Sequence, residues 1–153
     1  MKRTLFIVLL FGTALCKGNA HGDVARYVNP FIGTGAVENS LSGNCYPGAT
    51  MPFGMVQLSP DTREAPDWAQ ASGYDYNDSC IYGFSHTRLN GTGASDLIDI
   101  LMLPVTESRR HSSFKHEEEQ AEPGYYKVHL LENDVIAELT ATTRTGVHRY
   151  TYP

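Results

Sequence analysis

The chain has 153 residues, 12 of them basic and 17 acidic, with a formal net charge of −5 and 41 % hydrophobic residues. A surface that is negative on average repels nucleic acid and anionic membranes, so partners are expected to be neutral or cationic, or to sit in a local pocket. Its 3 cysteines are too few for a disulfide framework. No Cys/His pair has zinc-finger spacing, and His111 and His116 miss the i, i+4 interval that sets two ligands on one helical face. A metal site built wholly from this chain is therefore not expected.

The N-terminus reads Met1-Lys2-Arg3, then an apolar run from Leu5 to Leu15, then small residues at Gly18 and Ala20. A charged start, a short apolar stretch and a small-residue cleavage site define a secretory signal peptide over residues 1–20. The run is shorter than the roughly 20 residues that span a bilayer, so no transmembrane segment is expected. The product is secreted or periplasmic, with lipid attachment through Cys16 as the alternative. Taking Lys2, Arg3 and Lys17 from the 12 basic residues leaves 9 against 17 acidic ones, a net charge of −8. Residues 21–153 suffice for one domain with a core, and Cys45 and Cys80 are left with their pairing open.

From Tyr27 to about Ser95 the chain is crowded with Gly, Pro, Asn, Asp and aromatics around short apolar pieces such as Phe53 to Ser59. That composition describes long loops between short strands. From Asp96 the pattern turns regular: "LIDILMLPV" (Leu97 to Val105) is expected as a buried strand ended by Pro104. "YYKVHLLE" and "VIAELTATT" are expected as two strands around the turn "ENDV". Between them and the first strand, "SRRHSSFKHEEEQAEPG" (Ser108 to Gly124) is expected as a solvated hairpin loop. "GVHRYTYP" opens a further strand, with Val147, Arg149 and Thr151 alternating, and leads to the expectation of a domain incomplete at its C-terminus. Long amphipathic helices, repeats and heptads are absent from the pattern, which makes an all-β sandwich the expected fold class.

The loops carry more chemistry than turns require. "YGFSHTRLNGTG" (Tyr82 to Gly93) runs from a strand into His86, Arg88, Asn90 and two glycines, whereas a turn needs only the glycines and the Asn. Loops of a sandwich gather at its ends, where several can converge on one pocket. Trp68, Tyr74 and Tyr76 offer flat faces for pyranose C–H groups, and Asp61, Arg63, His86, Arg88 and Asn90 offer directional hydrogen bonds to hydroxyls. Each has a plainer role open to it: Trp68 as a loop anchor, Arg63 paired with Asp61 or Asp67, His86 holding a backbone carbonyl in the core.

"GTGAS" lacks the Lys-Ser/Thr ending of a phosphate loop and precedes a strand, which excludes that reading. Asn77 and Asn90 match the short N-glycosylation pattern without deciding anything. Glycoside hydrolysis by inversion needs two carboxyl groups about 6.5–9.5 Å apart. Asp61, Glu64, Asp67, Asp75 and Asp78 are nearby acids, and no spacing marks a pair among them. There is no Gly-x-Ser-x-Gly nucleophile elbow. The residues alone describe a module for a polar ligand.

"VNPFIGTG", "GNCYPGATMPFGMVQLSPDTR", "SGYDYNDSCIYGFSHTRLNGTGASD" and "DILMLP" occur in an order, and with gaps, that resemble the N-terminal part of glycoside hydrolase family ninety-two. The likeness covers Tyr27 to about Pro104. It implies a secreted, calcium-dependent, inverting exo-α-mannosidase acting on mannose-containing glycans. It further implies an N-terminal β-sandwich, an α/α barrel beyond this chain that supplies the Glu acid and Asp base, and Ca²⁺ ligands mostly in that barrel. Arg63, His86 and, with them, Trp68 and Arg88 are implied as substrate-binding or interface residues. Gly91 and Gly93 are expected to let their loop approach a neighbour closely. No catalytic residue is expected in this chain, which is therefore expected to be inactive alone. The rival is a stand-alone carbohydrate-binding module.

Overall fold

Alternation of apolar and polar residues from Tyr125 onward dictates the most regular part of the molecule. The computed structural model describes residues 24–35, 44–65, 68–90 and 93–153. The expected signal peptide, Cys16 and Asp67 lie outside them. Among the described residues ten strands occur in chain order: β1 Ala49–Thr50, β2 Gln57–Asp61, β3 Cys80–Ile81, β4 Gly83–Ser85, β5 Leu101–Met102, β6 Ser112–Ser113, β7 Glu119–Glu122, β8 Tyr125–Leu130, β9 Val135–Ala141 and β10 Gly146–Thr151. They make one sheet in the order β1-β2-β4-β5, a second in the order β10-β9-β8-β7, and the pair β3-β6.

The second sheet obeys the period of two that a half-buried strand imposes. Tyr126, Val128 and Leu130 on β8, and Val135, Ala137, Leu139 and Ala141 on β9, point inward; Lys127, His129, Glu138 and Thr140 point away. Val128 stands opposite Ala137, so the apolar face is continuous across the pair. Asp134 closes the connecting turn at φ 48°, a conformation Asp tolerates. On β10, His148 and Tyr150 face inward while Val147, Arg149 and Thr151 face solvent. Arg149 forks onto Glu138, which also accepts from the Tyr125 hydroxyl at 2.7 Å. Those donors hold the Glu138 carboxyl down to about 2.

The first sheet lays Ala49, Leu58 and Phe84 against that face, and Tyr74, Ile81 and Phe114 complete the core. The fold is the expected all-β sandwich. Two expectations for its elements fail. Leu97 to Val105 is not a buried strand: only Leu101–Met102 pairs, at the edge of the first sheet, and Leu97, Ile100, Leu101, Met102 and Val105 are exposed. Nothing in the described chain covers them; Leu103 alone of the run packs on the core, with Pro104 buried behind it.

Nor is Ser108 to Gly124 a plain solvated loop. It contributes β6 and β7, buries Phe114, and carries Glu119 with a side chain 0 % exposed. That carboxylate accepts the Tyr126 hydroxyl at 2.6 Å, the Tyr74 hydroxyl at 3.0 Å and the His116 Nδ1 at 2.7 Å. Burial pushes its pKa up, and the three donors oppose the rise. Tyr76 stacks on the same His116, ring centres 4.0 Å apart.

Candidate functional site

The end of β2 and the segment after β4 bring two arginines to one hollow of about 200 Å³, lined by Asp61, Arg63, Glu64, Ala65, Arg88, Ile98 and Leu101. Asp61, the last residue of β2, is fully buried and bonds the Arg88 guanidinium. Its second oxygen accepts the Ser85 N–H at 3.0 Å, which ties the pair to β4. Arg88 also donates to the Ala71 carbonyl at 3.3 Å. Burial pushes the Asp61 carboxyl up, and the Arg88 charge pulls against that rise. The pair fits only because position 73 is glycine: at φ 81° the chain turns back, and a Cβ there would fall inside both the guanidinium and the carboxylate.

Arg63 stands at the rim, its side chain 37 % exposed. It does not pair with Asp61, and Asp67 lies outside the described residues. Its Nε lies 3.1 Å from Asp78 and its Nη2 3.6 Å from Asp75. Asp78 takes the Thr62 hydroxyl at 2.7 Å; Asp75 takes the Gln70 amide on one oxygen and the Asn77 backbone N–H at 2.9 Å on the other. Trp68, in the short 3₁₀ turn Trp68–Gln70, is 71 % exposed, so it is no buried anchor. Tyr74 is completely buried and offers no face to a ligand. The expectation for it fails because its hydroxyl is the partner of Glu119, a residue that spacing alone did not single out.

His86 lies outside the lining of that hollow. It holds no backbone carbonyl with its ring. Its Nε2 sits 3.1 Å from the Nε2 of His148 on β10, and the His148 Nδ1 sits 2.7 Å from the Tyr150 hydroxyl. Burial and the neighbouring His86 hold the His148 imidazole down to about 4. Sequence reasoning missed His148, although its inward place in the β10 alternation was a usable signal. Gly93 has φ 74° with nothing within 4 Å of a Cβ built there, so it serves the turn and not a close approach; Gly91 is outside the described residues. Asn90 bonds Gln57 and borders a second, larger cleft of about 600 Å³ near Val28, Ile32 and Tyr46. Cys45 and Cys80 form no disulfide with each other.

Calcium takes several oxygen ligands. The described residues do not fit that demand. Asp61 is taken by Arg88 and Ser85, Asp75 by Gln70 and Asn77, and Asp78 by Thr62 and Arg63. Among the described residues no group of three or more His, Cys, Asp or Glu is arranged to hold a metal ion.

The model of the glycosyl hydrolase family 92 N-terminal domain matches residues 27–153. The chain belongs to glycosyl hydrolase family 92. An uncharacterized secreted glycosidase of Arthroderma benhamiae is 27 % identical over 86 % of this chain and 18 % of its own length. The family 92 α-mannosidase BT3965 of Bacteroides thetaiotaomicron, solved in complex with mannoimidazole, is 42 % identical with a TM-score of 0.77. The match covers 84 % of this chain and 18 % of that one. The inverting mannosidase BT2199 of the same organism gives 29 % and 0.64 over 84 % of this chain and 18 % of its own. This family 92 chain thus spans about a fifth of the length of the relatives it matches. Among its described residues no helix is long and apolar enough to cross a membrane.

Proposed function

We propose that this chain is the substrate-pocket part of a secreted, inverting, calcium-dependent exo-α-mannosidase that removes terminal α-linked mannose from glycans. The observation that carries the reading is the family 92 N-terminal match over residues 27–153, shared with solved mannosidases. No group of three or more His, Cys, Asp or Glu among the described residues is arranged for the ion, so on this reading its ligands come mostly from the rest of the parent protein.

The chain's own contribution is positional. The described carboxylates around the Arg63 and Arg88 hollow, Glu64 excepted, are bonded to protein donors. The acid and base that inversion requires therefore come from elsewhere. Trp68 presents an open indole face suited to sugar C–H groups. Arg63, oriented by Asp75 and Asp78, presents its guanidinium edge to hydroxyls. Arg88 lines the same hollow as Arg63, and His86, outside it, is read as a domain-interface residue.

The test is turnover of an aryl α-mannoside with added Ca²⁺. The expected outcome is activity in the full-length parent and none in this chain. In the parent, Trp68→Ala raises KM with little change in kcat, and His86→Ala lowers hydrolysis far more than thermal stability. Turnover by the chain alone would sink the reading. Saturable mannose binding by the chain, with an inactive parent, would favour a carbohydrate-binding module instead.

A further inference from the structure

The imidazoles of His86, just after β4, and His148, on β10, meet Nε2 to Nε2 at 3.1 Å, with no carboxylate among the described residues bonded to either. A linear N–H···N bond would add both ring radii to that gap and set the ring centres above about 5 Å apart. They are 4.8 Å apart with planes inclined by 30°. The contact is not linear, and this separation fits two rings inclined toward one shared ion. Two nitrogens 3.1 Å apart, each about 2.0–2.1 Å from one ion, subtend roughly 97° there, between octahedral and tetrahedral values.

From this geometry we infer a two-imidazole site for a divalent transition ion of the Zn²⁺ or Cu²⁺ kind, His86 and His148 supplying the nitrogens and water the remaining positions. The site is distinct from any calcium site, because calcium selects oxygen and imidazole suits zinc and copper. Tyr150 is placed as the outer anchor that metal-bound histidines use: its oxygen lies 2.7 Å from the His148 Nδ1, within reach of an Nδ1–H in the tautomer that frees Nε2 for an ion. The His86 Nδ1 is buried without a hydrogen-bond partner, so the pair has one outer anchor and not two. That ranks the site among the weaker ones. Both residues are half-buried.

Calorimetric titration of the full chain with Zn²⁺ near neutral pH gives one saturable site, and Cu²⁺ binds more tightly, following the Irving–Williams order. His148→Gln weakens Zn²⁺ binding by at least about tenfold. His129→Gln, in the exposed cluster with Glu118 and Asp134, leaves it unchanged. The reverse pattern would put the ion on the His129 cluster and overturn the proposal, as would a lack of saturable binding in the unaltered chain. Ring-nitrogen NMR needs no variant: Zn²⁺ shifts the Nε2 signals of His86 and His148, and shifts confined to other histidines refute the site.

Discussion

Removing the Arg88 guanidinium leaves the Asp61 carboxylate buried with the Ser85 N–H as its remaining donor, a costly position for a charge. Arg88→Met is expected to destabilise the chain by about 3–5 kcal/mol, the usual cost of breaking a buried ion pair from one side. Asp61→Asn keeps an acceptor for Ser85, so the double variant Asp61→Asn with Arg88→Met loses less than the sum of the two single changes. Urea midpoints of the four proteins check this; strict additivity would mean the two side chains do not interact. Arg88→Met alone also gains relative stability as pH falls, because a protonated Asp61 no longer buries a charge.

His148 gives a second slope. Its folded pKa, about 4, is below the ordinary histidine value of 6.5. The unfolded chain therefore takes up a proton first as pH falls, and the stability present above 6.5 is lost progressively toward 4. His129 acts in the opposite sense. Its hydrogen bonds to Asp134 and Glu118 raise its pKa, so its contribution is full below 6.5 and is lost as pH rises through the raised value. Unfolding midpoints from pH 4 to well above 6.5, with His148→Phe flattening the acid limb and leaving the alkaline loss due to His129, separate the two.

At the scale of elements, β8 and β9 were legible because both strands keep the period of two that one buried face enforces. β7 was not. Its run of acids reads as a solvated loop until Tyr74, 45 residues earlier in the chain, is seen to donate to Glu119. Leu97 to Val105 misled in the other direction, since an apolar run marks a surface to be covered without saying by what. The site had the same split. Arg63 and Arg88 were chosen for their chemistry and do meet at one hollow. Their partners, Asp75 and Asp78 for one and Asp61 for the other, could not be read from spacing, and His86 meets its neighbour 62 residues away. Glu119 also yields a prediction: Glu119→Gln keeps acceptors for the tyrosines and costs little. Glu119→Leu strands two buried hydroxyls and costs about 1–3 kcal/mol for each, readable in the same urea midpoints.

At the scale of the molecule the unresolved matter is apolar surface. Leu97, Ile100, Leu101, Met102 and Val105 lie along the open edge of the first sheet, and Met51, Phe53 and Met55 project from the β1–β2 connection. An edge strand with exposed apolar side chains is a template for another chain. The relatives are about five times longer than the part they share with this chain, so in a parent protein of that size this surface has a partner to meet. The chain by itself should self-associate through it. Ile100→Lys with Met102→Lys is expected to lower the sedimentation-derived association of the isolated chain while moving its unfolding free energy by no more than about 0.5 kcal/mol, as exposed positions do. The same two charges in the full-length parent should cost stability, because there they would be buried without counter-ions. A parent indifferent to both lysines would show that the β5 edge faces solvent in the whole protein, and the covering partner would then have to be sought at Met51, Phe53 and Met55.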